Sequence, residues 1–190
     1  MRGHFGNFAP DIAAFRGPGL DAEHRVRSLP HRHPPAAGRS AALQHQIAAP
    51  LLPVVAALVA AAPLPHRAQS YTAVADPGID ADRIANHAWC TLVAPSGPLP
   101  GNSVRLAIGY REHGLRYPRH RHRRVENYLT LTGSANQAAD GRVTVKGGPG
   151  TTICRYSNQP HGATFPAAPP LAAAFRRGTG IKAKSVLEEE

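Results

Sequence analysis

His120-Arg121-His122-Arg123-Arg124-Val125-Glu126-Asn127-Tyr128 decides how the chain is read, together with Leu129-Thr130-Leu131-Thr132-Gly133, which closes it. Two imidazoles one residue apart, a carboxylate four residues on and a phenol two beyond make a compact set of metal-binding side chains. All four stand at even positions. In an extended chain they point to one side, because strand side chains alternate with a period of two. In a helix His120 and His122 would lie about 200° apart at ~3.6 residues per turn. The spacing therefore predicts a metal site built on β-structure.

Downstream of this segment, and just upstream of it, short apolar stretches alternate with turn signals. From Trp89 onward, Ser103–Arg111 carries Val104, Leu106, Ile108 and Tyr110 on one face. Arg142–Lys146 follows Asp140-Gly141, a hairpin signal. Thr151–Tyr156 follows Gly147-Gly148-Pro149-Gly150, and Leu171–Arg176 follows Pro169-Pro170. Regular short strands with Gly/Pro turns predict an antiparallel sandwich or barrel. The acidic end, Glu188–Glu190, is expected to be a frayed tail.

Toward the N-terminus the texture differs. Residues 1–45 are rich in Pro, Gly, Arg and His and lack apolar periodicity, so a disordered basic tail is expected. His31 and His33 repeat the His-x-His spacing without a carboxylate at useful distance and read as solvated. Residues 1–20 have no continuous apolar core of a signal peptide. Residues 47–63 are the one long apolar run, broken by Pro50 and Pro53. Their length is at the short limit for a membrane span, and core-packing helices starting near Pro53 are the preferred reading. No membrane association is expected.

With 190 residues the chain has room for one domain with a core plus a tail. Cys90 and Cys154 are too few for a disulfide framework and read as inert thiols in a reducing, cytoplasmic setting. The formal charge of +10 invites a nucleic-acid partner. Much of it comes from the N-terminal segment and from Arg116, Arg119, Arg121, Arg123 and Arg124, with no interleaved aromatics. These arginines read as a solvated face or as an anion-attracting rim around the metal site, and no nucleic acid is expected.

First-row divalent metals favour imidazole and carboxylate ligands, and a catalytic site keeps positions open. His120, His122 and Glu126 fit that chemistry. A further ligand is expected from another strand, with His161 the best candidate because it follows a predicted strand and Pro160. His113 and His87 are weaker candidates, each expected instead as a surface histidine. Iron, zinc, manganese and nickel all satisfy such a set.

Gly114-x5-His120-x-His122-x3-Glu126-x6-Gly133 resembles the first cupin motif at every anchor, and Gly148-Pro149-Gly150 with Pro160-His161 resembles the second. The resemblance implies a mainly β cupin jelly-roll barrel over residues 89–182, a helical N-terminal segment at 46–88 and a C-terminal tail at 183–190. Tyr117-Pro118-x-His120-x-His122-x3-Glu126-x-Tyr128 is further similar to the bacterial cupin-type dimethylsulfoniopropionate lyases. That similarity implies metal ligands at His122, Glu126 and His161, with Tyr128 beside the metal and His120 and Tyr117 in the active site. It also implies a small carboxylate substrate and pairing into a homodimer.

The expected reaction is a β-elimination that cleaves dimethylsulfoniopropionate to dimethyl sulfide and acrylate, with the metal on the substrate carboxylate. Tyr128 is the first candidate base and Tyr117 the second. Two other readings stay open: another metal-dependent cupin enzyme, such as a non-haem dioxygenase or isomerase, and a non-enzymatic sensor or binding domain.

Overall fold

The computed structural model describes residues 81–188 without a break and, before them, His66–Ala68 and isolated positions from Leu43 to Ile79. The expected tail 1–45, apart from Leu43, and nearly all of the apolar run 47–63 lie outside the described residues. Within the segment expected to be helical, the described residues form strand β1 (His66–Ala68) and helix α1 (Ala81–Asn86). Among the described residues no helix is long and apolar enough to cross a membrane.

The remaining strands are β2 (His87–Ala94), β3 (Leu99–Pro100), β4 (Val104–Arg111), β5 (Arg116–Arg121), β6 (Val125–Thr130) and β7 (Ala135–Ala139). They continue as β8 (Arg142–Gly147), β9 (Thr152–Arg155), β10 (His161–Thr164), β11 (Leu171–Arg177) and β12 (Val186–Leu187). The larger sheet runs β1-β2-β4-β11-β6-β9, with β3 parallel beside β2, and the smaller runs β12-β5-β10-β7-β8. Apart from the β7–β8 hairpin, the chain after β5 changes sheet at each new strand. This winding builds the two-sheet cupin barrel. The hairpin turns on Asp140 and Gly141, both at positive φ (50° and 80°), as its sequence signal predicts.

The two faces of the larger sheet carry different chemistry. The apolar row anticipated on Ser103–Arg111 faces outward. Ile108 and Tyr110 pack with Ala88, Leu131 and Leu171 under Leu43 and Ile47. The inner face of β4 instead presents Ala107, Gly109 and Arg111. Ala107 joins Ala172, Ala174, Ile153, Trp89 and Tyr128 in a second cluster. Small side chains on β4 and β11 thus leave room inside the barrel for rings and long side chains. Gly109 shows how little slack remains: a Cβ there would stand 2.7 Å from the Trp89 ring and 2.9 Å from an Arg111 nitrogen.

The C-terminal segment, expected as a frayed tail, closes the smaller sheet. Val186 and Leu187 pair with Arg121 and His120. Glu188 meets Arg119 at 2.7 Å and Arg121 at 3.4 Å. Arg124 is buried and donates to the Ala183 carbonyl (2.8 Å) and Ser185 Oγ (2.9 Å). Three of the arginines expected on a solvated face or rim therefore anchor this segment, although Arg121, like Arg116 and Arg123, is exposed.

The motif glycine Gly133 sits at φ 63°, and a Cβ there would lie 2.5 Å from the Ala168 and Pro169 carbonyl oxygens. Left-handed strain and a backbone clash act together at this position, so Gly133→Ala is expected to lower stability by about 2 kcal/mol or more in urea unfolding.

Candidate metal centre

Glu126 is fully buried on β6 and belongs to one row of residues that crosses four strands. Arg176 pairs with Arg105 on one side and Glu126 on the other, and Glu126 pairs in turn with Arg155. Arg176 Nε donates to Glu126 Oε1. Burial pushes the Glu126 carboxyl up, but the Arg176 guanidinium, with the adjacent His122 and His161 rings, outweighs it and holds the group well below the usual carboxylate range.

Opposite this row, the smaller sheet delivers the imidazoles. His161 opens β10 and pairs directly with His120 on β5. A bulge then shifts the register: the step of two from His161 to Ala163 on β10 spans a step of three from His120 to Tyr117 on β5. Strict alternation would turn Tyr117 away from His120. The bulge turns both inward, and their rings meet edge to face at 4.6 Å. Gly162 lies against it, where a Cβ would stand 2.9 Å from the Tyr117 carbonyl. His122 follows β5, where the chain crosses to β6.

Each imidazole is oriented by a carbonyl. Nδ1 of His120, His122 and His161 lies 2.9, 2.8 and 2.8 Å from the oxygens of Pro118, Arg124 and Gln159. A carbonyl only accepts, so each Nδ1 carries the proton and each Nε2 presents a lone pair. Such backbone partners fix metal-binding histidines elsewhere. Ligand atoms of all three buried rings lie within 4.8 Å of one another. Glu126 Oε2 stands 3.1 Å from His122 Nε2 and 3.6 Å from His161 Nε2, and His161 Nε2 has no hydrogen-bond partner among the described residues. Lone pairs converging on a carboxylate oxygen repel unless a cation lies among them. Ligands ~2.1 Å from one ion stand roughly 3.0–3.4 Å apart. The set of three imidazoles and one carboxylate therefore fits a divalent metal, and any of the four can hold it.

One cavity is lined by Arg111, Tyr117, His120, Tyr128, Gln137, His161 and Phe165. Both tyrosines singled out in the sequence thus open on the same space as two of the histidines. Burial, and then Glu126, push the Tyr128 phenol above its ordinary value, with Arg176 and Arg111 opposing. His120 is driven well below the usual imidazole range by burial and by His161.

Three residues escaped the sequence reading. His87, expected at the surface, is buried against Trp89 and Tyr117, with ring centroids 5.8 and 5.6 Å away. Arg111 and Arg176 are buried inside the barrel. Their signal was available: in Ala107-x-Gly109-x-Arg111 and Ala172-x-Ala174-x-Arg176 a charge follows two small residues at strand period. His113, by contrast, is exposed beside Glu112, and Cys90 and Cys154 are not joined in a disulfide.

A sequence model described as dimethylsulfoniopropionate (DMSP) lyase matches residues 20–172. Among solved structures, a chain from a study of the DMSP lyases RdDddP and RnDddQII superimposes with a TM-score of 0.76 at 27% identity. That match covers 95% of this chain and 90% of the other. DMSP lyase DddQ from Ruegeria pomeroyi DSS-3 gives a TM-score of 0.71 at 26% identity, with 98% of each chain covered. No curated protein sequence matches the chain.

Buried His87 and His120 both have depressed pKa values, chiefly through burial. Folded protein keeps them neutral while the unfolded chain takes up protons below about pH 6.5, so stability rises with pH there. Glu126, held low, adds a loss of the same sign below about pH 4.5. Urea unfolding of chelator-treated protein is expected to show stability constant above about pH 7.5 and falling between pH 6.5 and 5. A flat profile would contradict the neutral buried imidazoles.

Proposed function

The chain belongs to the dimethylsulfoniopropionate lyase family, and on that premise we propose that it cleaves this sulfonium acid by β-elimination at the His120–His122–Glu126–His161 centre. The observation that carries the reading is the meeting of Tyr117, Tyr128, His120 and His161 on one cavity, beside a buried donor set suited to a divalent metal.

The chemical difficulty is the weak acidity of the proton alpha to a carboxylate. Its removal leaves an electron pair that forms the carbon–carbon double bond while the bond from the β-carbon to sulfur breaks. The sulfur keeps the bonding pair and departs as dimethyl sulfide, leaving acrylate. A divalent metal bound at the centre supplies Lewis-acid stabilisation of charge developing on the substrate carboxylate and favours the phenolate of a nearby tyrosine.

Tyr128 is the proposed base. Its phenol lines the cavity from the larger sheet, and Arg111 lies 5.6 Å from its ring centroid, a cation that favours phenolate over phenol. The upward push from burial and Glu126 makes that help necessary. Tyr117 faces the same cavity from the smaller sheet, with the Arg83 guanidinium carbon 3.9 Å from its ring centroid. It orients the substrate and is the second candidate base. Glu126, His122 and His161 hold the metal, and His120 completes the donor set or carries a proton. Arg176 favours the ionised form of Glu126, so the carboxylate is held ready as a ligand.

Tyr128→Phe is expected to lower acrylate release by at least about a thousandfold with metal content unchanged, whereas Tyr117→Phe retains part of it. Activity that survived in Tyr128→Phe would move the base elsewhere. Chelation should abolish acrylate release and metal return should restore it, with equal rates in air and under argon. Oxygen-dependent turnover would instead indicate a dioxygenase.

A further inference from the structure

Arg111 is a buried residue inside the barrel whose hydrogen-bond donors the proposed chemistry does not use. It ends β4 and is 4% exposed. Its guanidinium carbon lies 4.4 Å from the centroid of Trp89, 5.7 Å from Phe165 and 6.0 Å from Tyr117. Its Nε is buried and has no hydrogen-bond partner among the described residues. The described carboxylates are engaged elsewhere. Glu126 is held by Arg176, Glu112 by Tyr110 and His113, and Glu188 by Arg119 and Arg121. Asp82 accepts from Asn86, and Asp140 from Gln159.

A desolvated guanidinium costs several kcal/mol unless an anion or polar partners compensate. Aromatic faces return only part of that. What Arg111 lacks is an acceptor, and it borders the cavity that also contains Tyr128, Tyr117, His120 and His161. A planar carboxylate matches the two-pronged donor geometry of arginine.

We propose that Arg111 binds the carboxylate of the substrate in this cavity and makes the site selective for a small organic acid over its neutral amide. The inference rests on the lyase reading only for the identity of the acid. Each carboxylate oxygen keeps a second lone pair, so a group held by both prongs of Arg111 can still reach the metal centre. Arg111 and Arg176 both repel a cation, so the sulfonium end lies away from β4 and β11.

Propionate and propionamide serve as probes because they match in size and differ in charge. Titrated into the metal-loaded full-length protein by calorimetry, propionate is expected to bind at least about tenfold tighter than propionamide. In Arg111→Gln propionate should weaken about tenfold to a hundredfold, the loss of a charge-assisted pair, while propionamide and metal content stay unchanged. Arg111→Lys, which keeps the charge but loses the fork, should fall between. Equal affinity of the wild-type protein for acid and amide overturns the proposal without any variant. So does unchanged propionate affinity in a folded, metal-loaded Arg111→Gln or Arg111→Lys. Acid selectivity that depends on Arg111 without acrylate release from dimethylsulfoniopropionate would sink the lyase reading and leave the acid site standing. Acrylate release with an unchanged KM in Arg111→Lys would do the reverse.

Discussion

The ion pair between Glu126 and Arg176 is the constraint on which the interior depends. A fully buried carboxylate tolerates ionisation only with a partner in reach, and Arg176 supplies it from the neighbouring strand. Removing one member of such a pair costs far more than the pair adds, because the other is left charged without water. The register of β11 between β4 and β6 is therefore tied to chemistry as well as to packing. A slip by one residue would turn Arg176 outward and leave Glu126 alone among imidazoles. The same pair keeps a negative ligand available beside the three imidazoles.

The centre also depends on the two sheets facing each other. The larger sheet provides Glu126 and Tyr128, and the smaller provides His120, His161 and Tyr117. His122 stands at the crossing between them. No strand holds the complete set, so the donors assemble only when the barrel closes. The β5 bulge is the local device that makes this possible, because it lets residues three apart look the same way.

Much of this was legible in the sequence. The even spacing from His120 to Tyr128 announced an inward-facing set, and Pro160-His161 marked the distant partner. The strands after Trp89 fell where turn residues delimit apolar stretches. What stayed hidden has physical reasons. Tyr117 is at an odd position, and a bulge leaves no signature in period-two reasoning. The apolar face of Ser103–Arg111 was visible but not the direction it points, and a barrel that houses charged chemistry puts that face outside. His87 and the buried arginines read as surface groups because composition assigns charge to solvent unless a partner is known. The C-terminal strand pairs through its backbone and a few arginine contacts, and its two apolar residues, Val186 and Leu187, are too short a run to announce a strand.

The row of small residues on β4 and β11 has a consequence for how such a protein can diversify. Ala107, Ala172 and Ala174 sit beneath the rings of Trp89 and Tyr128, and none of them belongs to the metal centre. Each added methylene there would subtract a small volume from the space above the charged row without touching a donor or the ion pair. The size and shape of the accepted molecule are thus set by different positions from those that perform the chemistry. A lineage can explore one set by single substitutions while the other stays fixed.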